Sequence, residues 1–117
     1  MTIIYHLSTR AAWQAAAAAA AGAYTADSLA SEGFIHCSTA QQVRATATRI
    51  FAGRSDLILL CVDSAQVGPE IRYENLEGGD NLFPHIYGPL AVAAVVAVHD
   101  FPPRDDGGFD WPPGLPL

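Results

Sequence analysis

Residues 2–7 run Thr-Ile-Ile-Tyr-His-Leu, almost all β-branched or aromatic, and predict a first strand. Ile4, His6 and Ser8 share one face of it; Ile3, Tyr5 and Leu7 share the other. Ser8 or Thr9 is placed to cap a helix through Trp13 and the alanines of residues 15–21, which have the highest intrinsic helix propensity, with Gly22 to end it. Trp13 supplies nearly all the bulk of that helix, so it can lie close to a sheet. Residues 23–32 are turn-rich, with room for one helical turn after Asp27, and residues 33–37 read as a second strand. Thr39-Ala40-Gln41-Gln42 fits a capping box, in which hydroxyl and amide satisfy each other's free backbone N–H groups. Val43, Ala47, Ile50 and Phe51 then recur at i, i+4, i+7 and i+8, an apolar stripe that predicts a second main helix closed by Gly53.

Residues 57–62, Leu-Ile-Leu-Leu-Cys-Val, show no alternation, as a central strand covered on both faces requires. Val67-Gly68-Pro69 turns the chain, and residues 70–76 alternate Ile71 and Tyr73 with Arg72 and Glu74, a half-exposed strand. Residues 77–81 form a loop leading into the Pro-bounded cluster Phe83-Pro84-His85-Ile86-Tyr87-Gly88-Pro89, and residues 91–101 hold a strand centred on 95–98. The order β-α-β-α-β-β-β predicts an α+β fold. A mixed, mostly antiparallel twisted sheet with two main helices packed on it fills a single domain over residues 1–101. Residues 102–117 carry five of the eight prolines and three of the ten glycines, an irregular C-terminal tail that either docks through Phe109 and Trp111 or frays.

Composition narrows the function. The 117 residues suit one domain, and half of them are apolar against 15% charged, so the chain is expected to fold. Six basic residues against twelve acidic give a net charge of −6, and all six are arginine: Arg10, Arg44, Arg49, Arg54, Arg72 and Arg104. That scarcity of cations argues against general nucleic-acid binding. No apolar run is long enough for a membrane span and the first residues lack a basic, then apolar, leader, so a cytoplasmic address is expected. Cys37 and Cys61 are expected to be free thiols.

Chemistry-bearing residues gather in three clusters: residues 5–9, residues 32–39 and residues 83–89. The first two each end a strand in His, with Ser two residues on, Thr next and a helix after. Adjacent strands of this kind would bring His6, His36, two hydroxyls and two helix N-termini to one sheet edge, a setting for an anion. Arg10 adds a cation in a first helical turn, where the helix dipole alone disfavours it by roughly 0.3–1 kcal/mol. Each feature also has a plainer meaning: Ser and Thr as ordinary helix caps, strand histidines as satisfied core residues, the third cluster as a rigid turn. His99 sits at a plain strand end and is excluded. No His or Cys pair has metal-ligand spacing, so no metal site is assigned. His36 and Cys37 point to opposite faces, which weakens a Cys37 nucleophile. Walker, Rossmann and G-x-S-x-G motifs are missing.

These strings closely resemble domain-of-unknown-function family 952. The likeness covers residues 2–101 and rests on Tyr5-His6, Ser8-Thr9, Trp13, Ser28-Leu29, Gly33-Phe34-Ile35-His36-Cys37-Ser38, Tyr73-Glu74 and Phe83-Pro84-His85-Ile86-Tyr87-Gly88-Pro89-Leu90. They are more distantly similar to the ADP-ribosyltransferase superfamily, which splits NAD at the nicotinamide–ribose bond. His6 with Ser8 and Thr9 looks like that superfamily's first motif, with Leu7 where a glycine usually stands, and residues 33–38 look like its second. The resemblance implies an ADP-ribosyltransferase-like fold in which His6 binds a ribose hydroxyl and His36, supported by Ser38, takes the second-motif position. His85 and Tyr87 then complete the pocket, and Glu74 is the candidate for the carboxylate that faces developing oxocarbenium charge. The expected catalytic residues are therefore His36, Glu74 and His85, and the expected ligand-binding residues His6, Ser8, Thr9, Arg10, Ser38 and Tyr87. No tightly bound cofactor is expected; NAD enters as a substrate and a small nucleotide as the partner. The alternative is a non-catalytic small-molecule or protein-binding module using the same cleft.

Overall fold

The computed structural model describes residues 2–20 and 22–116. In chain order the elements are β1 (Ile3–Thr9), α1 (Arg10–Ala18), β2 (Ala23–Tyr24), α2 (Asp27–Glu32), β3 (Ile35–His36), α3 (Val43–Phe51), β4 (Leu57–Asp63), β5 (Ile71–Glu74), β6 (Phe83–Ile86), β7 (Leu90–Ala91) and β8 (Val95–Asp100). Short 3-10 turns follow β4 at Ser64–Gln66 and precede β8 at Val92–Ala94. The α+β class and the antiparallel pairing hold. The strands, however, divide among three sheets rather than one: β1-β4-β8, β3-β6-β5, and the ribbon β2-β7.

The unalternating run forms β4, buried at every residue between β1 and β8. Because successive side chains point to opposite faces, β4 divides the interior in two. Ile58, Leu60 and Val62 meet Ile4, Tyr24, Ile35, Ile86 and Leu90 on one side. Leu57, Leu59 and Cys61 meet Tyr5, Val43, Ala47, Phe101 and Phe109 on the other. Cys37 lies in the first cluster and Cys61 in the second, so the two free thiols are separated by the sheet.

Several boundaries shift for physical reasons. The first helix stops at Ala18, short of Gly22, because beyond half-buried Trp13 and Ala16 the alanines have nothing to pack; Ala21 lies outside the described residues. The Gln42 amide does accept from Thr39 N–H, at 2.9 Å, but it closes a turn and α3 begins only at Val43. Val43 and Ala47 are buried as the stripe required, whereas Ile50 is exposed. The turn foreseen after Asp27 is a third helix, α2, ended by Gly33 in the left-handed conformation (φ 86°), which aims Phe34 to His36 back across the molecule. β6 lies inside the Pro-bounded cluster, as the middle strand of its sheet. Pro84 has no N–H to give, but its carbonyl accepts from Cys37 N–H at 3.0 Å.

Residues 102–116 pack onto the second core cluster. Phe109 stacks on Phe101 with ring centroids 5.1 Å apart, Trp111 meets Tyr5 edge-on at 5.2 Å, and Arg104 pairs with Asp106 and Asp110. Among the described residues no helix is long and apolar enough to cross a membrane. Truncating a buried phenyl ring costs about 3–5 kcal/mol, so Phe109→Ala is expected to lower the unfolding free energy in urea by that amount. A loss below about 1 kcal/mol would show that the C-terminal segment adds nothing to the core.

Candidate functional site

A cleft of about 560 Å³ opens where the end of β1, the β2–α2 junction, β3, α3 and β5 approach one another. Its geometry begins with a reciprocal backbone pair: Tyr5 N–H donates to Ser38 O at 2.8 Å and Ser38 N–H donates to Tyr5 O at 2.7 Å. This stitches β1 to the chain just after β3. His6 follows Tyr5, and its Nδ1 lies 2.6 Å from the His36 carbonyl oxygen. A carbonyl only accepts, so Nδ1 carries the hydrogen and Nε2 is a lone pair, to which the Tyr24 hydroxyl donates at 2.8 Å. Burial pulls the His6 pKa down from 6.5 to about 4, which keeps the ring neutral. Tyr24 Oη also lies 3.1 Å from Ser8 Oγ, and Ser8 donates to Thr9 O at 2.9 Å.

The opposite wall is a row on one face of β3-β6-β5. His36 pairs with His85 and His85 with Arg72 in the register, so all three side chains project from the same face. His85 is buried, with Nδ1 2.9 Å from Glu74 Oε1, its ring stacked on Phe34 at 4.1 Å and the His36 ring edge-on at 5.2 Å. The same Glu74 Oε1 accepts from the Tyr87 hydroxyl, while Oε2 makes no hydrogen bond among the described residues. The Tyr87 bond first, and His85 after it, hold the Glu74 carboxyl below the usual carboxylate range, and Glu74 in turn pushes the Tyr87 hydroxyl up. Arg72 lies over the Tyr87 ring at 4.4 Å and is itself held by Glu70 at 3.0 and 3.1 Å. His36 Nε2 meets Glu32 Oε2 at 2.7 Å, half in solvent.

Residues 7–98 match the family described as "Protein of unknown function (DUF952)". The chain belongs to this family. Among solved structures, the crystal structure of protein CC0527 from Caulobacter crescentus is 35% identical, with 93% of this chain and 94% of that chain covered at a TM-score of 0.82. The solution structure of CC0527 is 37% identical over 92% of this chain and 91% of that chain, at a TM-score of 0.78. No curated protein matches the chain.

In this DUF952 chain His6, Ser8, Thr9, His36, Ser38, Glu74 and His85 all line one cleft, as their clustering required, and Tyr87 reaches it through Glu74. Four expectations change. Arg10 turns away to Asp100 on β8, at 2.6 Å, because that carboxylate is its nearest counter-charge. Two N–H groups of the first turn of α1 are already spent on the protein rather than left for an anion, Arg10 N–H on Asp56 O at 2.9 Å and Ala12 N–H on the Thr9 hydroxyl at 3.2 Å. Ser38 heads no helix: the chain after it turns before α3, and its role is the backbone pair with Tyr5. His6 has no free ring nitrogen for a ribose hydroxyl.

Two further cations belong to the DUF952 cleft. Arg49 of α3 and Arg54 just beyond line it, Arg54 bonded to Asp56 at 2.7 and 2.9 Å and Arg49 only 3.9 Å from Glu77. Thr46, Arg49 and Ile50 recur at helical spacing and form the face of α3 that lines the cleft; Ile50, expected in the core stripe, belongs to this exposed face instead. Tyr24 carried no signal beyond being an aromatic residue in a turn. Cys37 touches the cleft, but burial pushes its thiol far above the usual range, which removes it as a nucleophile.

Because the folded pKa of His6 is depressed, its stabilising contribution is present above pH 6.5 and is lost as pH falls towards about 4. The loss is on the order of 3 kcal/mol for a pKa of about 4 against 6.5 in the unfolded chain. Comparing wild type with His6→Asn, the stability gap should narrow by that order between pH 7 and pH 4. Imidazole ¹⁵N shifts of His6 should stay those of a neutral Nδ1–H ring at pH 5.5. An ordinary titration near 6.5 contradicts the buried arrangement.

Proposed function

We propose that the cleft takes NAD as a substrate and that Glu74 assists departure of nicotinamide, freeing the ADP-ribosyl group for transfer or release. The observation that carries this reading is the Glu74 carboxylate, ionised inside the cleft with Oε2 free. When the nicotinamide–ribose bond breaks, both bonding electrons go to the ring nitrogen and positive charge moves onto ribose C1′. A fixed anion beside C1′ is stronger against that developing charge than against the substrate, which is how such a group accelerates a step. Glu74 is preorganised for this, since Tyr87 and His85 already bind Oε1 and Arg72 steadies Tyr87.

Three further features support the reading. The cleft volume, about 560 Å³, falls in the range of small-molecule sites. Arg49 and Arg54 bring two of the chain's six cations to the same cleft, suited to a diphosphate. The strand-end motifs at His6 and at residues 33–38 resemble those of ADP-ribosyltransferases. His6 acts here as a wall member that holds Tyr24 and the His36 backbone in place.

A binding module without turnover is the second reading, favoured by the internal bonding of both His6 ring nitrogens and of the Arg10 and Ala12 N–H groups in the first turn of α1. Thermal melting with NAD, ADP-ribose and nicotinamide tests both. A ligand at about 100 times its Kd adds about 2.7 kcal/mol, several degrees for a domain of this size. NAD should raise the Tm, and Glu74→Gln should lower nicotinamide release on the order of 10²-fold while binding persists. A shift without release favours the binding module, and no shift with any adenine nucleotide overturns the reading.

A further inference from the structure

Resting on that reading, we infer that His85 is the general base of the reaction and that the acceptor of the ADP-ribosyl group is a neutral hydroxyl, either water or an alcohol. The argument begins from one hydrogen. Glu74 Oε1 is a carboxylate oxygen and only accepts, so in the neutral form of the His85 ring the hydrogen sits on Nδ1, 2.9 Å away, and Nε2 carries the lone pair. Nε2 makes no hydrogen bond among the described residues. No buried side-chain nitrogen or oxygen there lacks a partner. An unpaired Nε2 on a residue only 5% exposed is therefore not sealed, and it opens onto the cleft that His85 lines.

The aim of that lone pair is fixed. Phe34 stacks on the ring with planes 15° apart, the His36 ring meets it at 84°, and Glu74 holds Nδ1. The two other imidazoles do not match this. His6 has both nitrogens bonded inside the protein, and His36 stands half in solvent with Nε2 on Glu32. A buried imidazole oriented at one nitrogen by a carboxylate and unpaired at the other is the arrangement that takes a proton from a nucleophile.

Such a base is useful only if the acceptor arrives with a proton to lose. In the step, the C1′–N bond breaks with its electron pair to nicotinamide, which leaves neutral. An acceptor oxygen lone pair forms the C1′–O bond, and the hydroxyl proton passes to His85 Nε2. Glu74 Oε1 stabilises the resulting imidazolium through Nδ1–H, Oε2 faces the ribose charge, and the proton then returns to solvent. One NAD and one hydroxyl give nicotinamide, one O-linked ADP-ribose and one proton. An acceptor that is already an anion gains nothing from His85.

Nicotinamide release and NAD-dependent melting of wild type and His85→Gln, each with and without sodium azide, test the assignment. The variant should still bind NAD, should release nicotinamide 10²–10⁴-fold more slowly, and should be restored by azide, a nucleophile that needs no base, with ADP-ribosyl azide as product. Wild type should form a methyl riboside in methanol and should gain no rate from azide, a comparison that holds even if the variant does not fold. Unchanged release by His85→Gln, or a loss that azide does not restore while NAD still binds, or azide acceleration of wild type, overturns the inference alone. Absence of nicotinamide release by wild type overturns the catalytic reading of the cleft, and this inference with it.

Discussion

The reciprocal backbone pair between Tyr5 and Ser38, extended by the His6 hydrogen bond to the His36 carbonyl, joins the two three-stranded sheets, which share no strand. Each such bond is worth only about 0.5–1.5 kcal/mol net, but leaving these buried groups unpaired costs about 1–3 kcal/mol each. The joint is therefore held as much by the penalty for opening it as by the bonds themselves. It sets His6 beside β3, seals one end of the cleft, and brings the β3-β6-β5 face, with His36 and His85, against the end of β1. The proton positions follow from it too. Because the His36 carbonyl claims the hydrogen on Nδ1, the Tyr24 hydroxyl donates to Nε2, and burial keeps the ring uncharged.

The two walls of the cleft are consequently different in kind. On the β1 side the groups are neutral: the Tyr24 hydroxyl bonds His6, and the Ser8 hydroxyl, beside it, bonds the Thr9 carbonyl. On the β5 and β6 side charged groups stand among polar ones, and each is braced by a neighbour: Glu70 holds Arg72, Arg72 covers Tyr87, and Tyr87 and His85 share one oxygen of Glu74. This leaves one free atom on each key side chain, Oε2 of Glu74 and Nε2 of His85. Free polar atoms on otherwise immobilised side chains are what a preorganised site requires.

How legible a feature was in the sequence depended on how local its cause is. The run 57–62 announced β4, and Val43 with Ala47 announced the buried face of α3, because burial imposes a period that neighbours in sequence share. That His6, His36, His85 and Glu74 gather in one cleft was foreshadowed by the segments around them. β2 and β7, two residues each, are too short to show a period, and β6 was hidden because Pro84 argues against a central strand. Arg10 was misplaced for the opposite reason. Its capping context suggested a nearby anion, but the partner it found, Asp100, is ninety residues away in sequence.

By itself the sequence determined the α+β class, the doubly covered central strand, the free cysteines and part of the cleft lining, namely His6, Ser8, Thr9, His36, Ser38, Glu74 and His85. Each follows from composition, periodicity or capping, all of which act over a few residues. Tertiary structure alone decided which atoms remain available. Whether a histidine nitrogen is spent or free, whether an arginine faces the cleft or its rim, and which carboxylate stays ionised depend on donors and acceptors brought together from distant parts of the chain. Hydrogen bonds and ion pairs saturate, so a side chain's chemistry is set by what its partners leave over. That remainder is the lone pair on His85 and one oxygen of Glu74.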